Sequence, residues 1–81
     1  MMTTQHERDA LRAAFREVTL TLLGVFDMYD ADPAIETAIA RGLGEVVRGR
    51  LPEIARPRAT KGRAALRALL NEIDRTNEIT R

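Results

Sequence analysis

Cysteine is absent from these 81 residues, which rules out both a disulfide framework and a thiolate zinc site as a source of stability. Serine and tryptophan are absent too, and the single histidine, His6, sits close to the N-terminus. Without cysteine or serine, and with hydroxyls only on threonines and Tyr29, the usual nucleophile–base pairs have no members. His6 reads as a solvated residue in the first turn of a helix, and the chain reads as non-enzymatic. Aromatic residues make up only 4% of the chain, too few to interleave with its bases as stacking platforms for single-stranded nucleic acid. No apolar run approaches the ~20 residues that span a bilayer, and Met1-Met2-Thr3-Thr4 lacks the basic-then-apolar order of a signal peptide. The expectation is a soluble, cytoplasmic protein with no membrane partner.

What remains is a composition for helices, rich in alanine, leucine and arginine. A chain of this length makes one small domain, here 1–81, and buries only about 60–65% of its unfolded surface. Helix packing or self-association has to supply the rest.

Thr4 and Glu7 have the spacing of a capping box, so a first helix is expected from about Gln5. Leu11, Phe15, Val18, Leu22, Val25 and Tyr29 then recur at spacings of four and three, a heptad-like seam on one helix face. Val18-Thr19-Leu20-Thr21-Leu22 alternates with strand period, but only for five residues and with nothing elsewhere to pair with, so the helix is preferred. Asp30-Ala31-Asp32-Pro33 ends this helix at about residue 29 and opens a second over 33–50, with Asp32 as N-cap and Pro33 in the first turn. So short a turn predicts an antiparallel hairpin. Ile35, Ile39, Gly42, Leu43 and Val46 mark the expected inner face of the second helix, with Gly42 and Gly49 allowing close helix approach. Pro52 and Pro57 make 51–59 an extended, arginine-rich connection with room for one turn after Pro52. A third helix is expected over about 61–77, capped by Thr60, with Leu66, Leu69, Leu70 and Ile73 on its inner face. The fold class is therefore all-α, a small three-helix bundle.

The expected first helix is about 37 Å long, whereas a compact chain of this size is about 30 Å across. Leu20 and Leu23 also fall off the seam. Both features point to a homodimer, with Leu20, Leu23, Met28 and Tyr29 as the apolar partner contacts; a kink at Gly24 is the rival explanation.

Charge is the remaining signal. The net charge is +1, yet residues 1–47 carry eight acids and four bases, and 48–67 carry seven bases and one acid. The bases are Arg48, Arg50, Arg56, Arg58, Lys61, Arg63 and Arg67, candidate contacts for phosphate or for an acidic partner. Lys61 and Arg63 lie at a helix N-terminus, where cations are unfavourable, so the acids of the first 47 residues are the expected offset. Arg8, Arg12 and Arg16 form an i, i+4, i+8 stripe that reads as a solvated flank, with Asp9 relieving Arg12. Asp27, Asp30, Asp32 and Glu36 cluster near the first turn but lack EF-hand spacing; they read as caps or as the acidic end of a protein-binding face, with no metal or cofactor. Arg56-Pro57-Arg58 lacks the Arg-Gly-Arg-Pro order of an AT-hook, and no motif names a family. The arrangement suits a small bacterial or phage regulator or inhibitor that acts on another protein. A nucleic-acid-binding accessory protein using 48–67 is the alternative.

Overall fold

A computed structural model describes residues 4–79, with side chains described from Thr4 to Thr76. The Met1–Thr3 segment read above for a leader lies outside the described residues. Three helices follow in order: α1 (Gln5–Met28), α2 (Pro33–Arg50) and α3 (Gly62–Ile79). No strand occurs among the described residues. The third helix thus continues two residues past the expected end at 77.

The local signals act as read. The Thr4 hydroxyl accepts the Glu7 N–H at 3.1 Å and donates to the Glu7 carboxylate at 3.3 Å, closing the N-terminus of α1. Asp32 accepts from the Ala34 N–H at 2.7 Å, and Pro33 occupies the first turn of α2. At α3 the expectation needs correction: Lys61, not Thr60, accepts the first helical hydrogen bond, from Ala65. The chain enters that helix through Gly62, whose φ is +58° and whose N–H donates to the Thr37 hydroxyl at 2.8 Å. A Cβ there has room, its nearest neighbour being Glu36 Oε1 at 3.7 Å, so the demand for glycine comes from the backbone alone. Gly62→Ala is expected to cost about 1–2 kcal/mol, read as a lower urea midpoint with unchanged m-value.

The third helix is the central element. It packs against both α1 and α2, whose backbones approach each other less closely while their side chains share both core clusters. The short turn joins the two arms, and α3 covers one face of the layer they form. Leu66, Leu69 and Ile73 are fully buried, as their spacing predicted, and Leu70 is half-buried.

The first helix turns a different face inward from the one its apolar periodicity suggests. Arg12, Thr19, Leu23 and Phe26 are buried and Phe15 is half-buried, whereas Val18, Val25 and Tyr29 of the expected seam are exposed. The face is rotated by roughly a quarter of a turn. The reason lies in two residues that a pattern of types counts as polar. Thr19 satisfies its hydroxyl on the Phe15 carbonyl at 2.7 Å and then packs as an apolar side chain. Arg12 lays its stem into the core and has its charge met by Asp9 and Glu53.

The same rotation occurs in α2. Glu36, Ala40 and Val47 are buried in place of Ile35 and Val46, which are exposed, and Ile39 and Leu43 lie at the edge. Gly42 is exposed with no atom within 4 Å of a built Cβ, so its close-approach role is not used inside the chain.

The connection at 51–59 is the largest departure from expectation. Leu51 and Ile54 are fully buried and join Val47, Leu69 and Ile73 in one of two core clusters. The other cluster contains Leu23, Phe26, Ala40, Ala65 and Leu66. The helix α1 runs without a break through Gly24 and sets the long axis of the molecule, 38 × 23 × 20 Å with a radius of gyration of 12.7 Å. The extra length expected of α1 is thus real. No described helix is long and apolar enough to cross a membrane.

Candidate functional site

Two surfaces are distinctive, one charged and one apolar. The charged one begins with how the acids are used. Arg63, near the start of α3, reaches Glu36 at 3.0 Å, Asp27 at 2.9 Å and Asp30 at 3.8 Å. Hydrogen bonding to Glu36 dominates and raises the Arg63 pKa; desolvation opposes it, and the charges of Glu36 and Asp27 reinforce it. Three of the four acids at the first turn, Asp27, Asp30 and Glu36, thus pair with Arg63 within the chain, and the fourth, Asp32, caps α2. The offset expected for Arg63 is met within one chain. Among the described residues, no group of three or more His, Cys, Asp or Glu side chains is placed to hold a metal ion.

The N-terminal arginine stripe is likewise paired, and of its three members only Arg12 leaves the solvated flank. Arg8 and Arg12 converge on Glu53, Arg12 also meets Asp9 at 2.8 Å, and Arg16 meets Asp74 at 2.8 Å. Arg12 is only 3% exposed. For Glu53, desolvation pushes the carboxyl pKa up, but hydrogen bonds and charge from Arg8, a backbone hydrogen bond and a further bond from Arg12 outweigh it and hold it below 4.5. A carboxyl with a depressed folded pKa contributes stability above its unfolded value and loses it as pH falls through the folded one. Stability should therefore fall below about pH 4.5, and Glu53→Gln should flatten that fall, measured as the urea midpoint from pH 6 to pH 3.

The basic candidates divide into two groups. Arg48 is half-buried and donates to the Ile54 carbonyl at 3.2 Å, which makes it partly structural. Arg56 and Glu45 form an exposed pair at 3.7 Å. Arg50, Arg58, Lys61 and Arg67 are exposed and form no ion pair among the described residues. Arg41, which the sequence reading left out of the basic segment, is also exposed and unpaired, and with Arg48 and Arg56 it borders a crevice of about 200 Å³ between α2, the connection and α3. Its helical spacing of seven from Arg48 was the signal available in the sequence. Arg63 and Arg67 lie one turn apart on the side of α3 that faces α1, away from this crevice. The seven basic residues thus do not make one patch.

The apolar surface is built by the rotation of α1 and α2. Arg16 and Asp27, on one flank of α1, reach α3. Val18, Val25 and Tyr29 lie on the opposite flank, beyond Leu11 and Leu22, together with Met28. On α2, Thr37 and Arg48 lie on the flank that meets the start of α3 and the connection. Ile35 and Val46 lie on the other flank, beyond Ile39 and Leu43. Both exposed stripes therefore border the open side of the layer whose other face α3 covers. Of the four apolar contacts expected from sequence, Met28 and Tyr29 belong to this surface, at 75% and 68% exposed. Leu23 does not: it is buried in the core beside Phe26 and Leu66, which corrects its assignment as a partner contact. Leu20 is exposed on the opposite flank.

No protein-family model, curated protein or solved structure matches this chain. Its surfaces alone carry the functional argument.

Proposed function

We propose that this is a non-enzymatic regulatory or inhibitory protein that works by protein–protein interaction through the open apolar side of α1 and α2. The observation that carries this reading is the scarcity of charge along that side. In a chain that is 31% charged, the flank of α1 from Ala10 to Tyr29 bears one charge, Glu17 at its outer edge, and the matching flank of α2 bears none before Arg50. Scattered exposed apolar residues are ordinary; two adjoining stripes so poor in charge are the mark of an interface core. Site-specific photo-crosslinkers at Val25 and Val46 are expected to capture protein in native cells, and one at Arg67 is not. Equal labelling at all three positions, or none at any, contradicts the reading.

A second reading rests on the unpaired cations Arg41, Arg50, Arg58 and Lys61, which would attract nucleic-acid phosphates. Its measure is salt: the logarithm of affinity for a duplex should fall linearly with log salt, and removing the charges of Arg41, Arg58 and Lys61 should flatten the slope. Absence of binding at low salt removes it.

A further inference from the structure

The open side of the α1 and α2 layer has one occupant that its own features favour. We infer that it is the same side of a second copy of this chain, so that two copies bury their α1 and α2 stripes against each other with each α3 on the outside. This rests on the reading of that side as an interface.

Area is the first argument. Val18, Val25, Met28, Tyr29, Ile35 and Val46 are each between 40% and 75% exposed, together on the order of 600 Å². That is at the upper end of apolar patches found on monomers and most of the ~800 Å² per partner buried in a standard stable pair. A surface joined to itself gains this burial twice.

Shape is the second. The molecule is 20 Å thick in its smallest dimension, about two helix layers, with α3 as one layer and α1 and α2 as the other. An α1–α2 layer covered on one face only is half of a four-helix core, and its duplicate supplies the other half. Gly42 and Ala38, small and exposed on the α2 flank, leave room for a helix of the second copy to come close.

Charge is the third. A net charge of +1 lets two copies approach without strong repulsion. At the rim, Glu17 and Arg50 have no ion-pair partner among the described residues, so each copy brings one free acid and one free base to a self-complementary edge.

Sedimentation equilibrium of the full chain from about 1 μM to about 1 mM tests this. The expected result is a rise from 9.1 kDa to twice that mass. Val25→Glu, at an exposed position, should weaken association by about 100-fold or more while the helical circular dichroism stays unchanged. Leu20→Glu, exposed on the other flank, should leave association intact. A constant 9.1 kDa across the range, or a Val25→Glu protein that associates like the parent, overturns the proposal. If the mass stays monomeric while crosslinks at Val25 reach a different protein, the second copy is wrong and the interaction reading survives. If neither occurs, both fall.

Discussion

Replacing Ile54 with alanine is expected to remove about 2–4 kcal/mol of stability, although it stands in a proline-bounded connection among arginines. Its side chain is fully buried, and so is that of Leu51, because a turn places them on one side: the Ile54 N–H donates to the Leu51 carbonyl at 3.1 Å. Together they close the end of the core formed by Val47, Leu69 and Ile73, with Leu11 and Phe15 packed against it. Truncation there loses the transfer energy of the removed methylenes and leaves a cavity that neighbours on three elements cannot fill together. For a chain of this length the total stability is roughly 4 to 12 kcal/mol, so this single change consumes much of it. Thermal unfolding should show a midpoint lower by about 10 °C or more. Leu20→Ala, in the middle of the longest helix but exposed, should change stability by less than about 1 kcal/mol. Equal effects at the two positions would contradict the placement of the core.

The second large effect is one of sign. Arg12 is buried with its Nη1 on Asp9 at 2.8 Å and its Nη2 on Glu53 at 3.5 Å, and its Nε has no acceptor. A buried guanidinium with one orphan N–H costs desolvation that its two contacts only partly repay. Arg12→Met keeps the packing of the stem and removes that cost, so stability is expected to stay level or rise by up to about 2 kcal/mol. Glu53→Ala does the reverse. It strips Arg12 of one of its two acids and leaves the charge buried, for a loss of about 2 kcal/mol, less than the 3–5 of a fully buried pair because Glu53 is partly solvated. In the Arg12→Met background the same Glu53→Ala change should cost far less. Urea unfolding of the four proteins gives the cycle.

Arg12 also explains where the sequence was legible and where it was not. The starts of α1 and α2 were legible because caps are local: Thr4, Asp32 and Pro33 act within three residues of themselves. The inner face of α3 was legible because Leu66, Leu69 and Ile73 have no polar competitor on that side. The inner faces of α1 and α2 were misread by one residue because Arg12, Thr19 and Glu36 are buried, and what permits their burial lies far along the chain or on the backbone. Glu36 depends on Arg63, 27 residues away, and Arg12 depends on Glu53, 41 residues away. Hydrophobic periodicity contains no term for a partner that distant. The misreading bears directly on function: Leu23 moves into the core, while Val18, Val25, Ile35 and Val46 come out of it and make the apolar side. The basic residues were visible individually, but their division between the crevice near Arg48 and the α1 side of α3 follows only from the packing of α3.

Backbone amide shifts of the full chain, followed on dilution from about 1 mM to about 10 μM, test the central claim most directly. The prediction is that changes concentrate at Ala14, Val18, Val25 and Tyr29 of α1 and at Ile39, Gly42 and Val46 of α2, with Arg50 at the rim, while residues 55–67 stay still. Shifts that do not change with concentration, or that change only in 55–67, would contradict it.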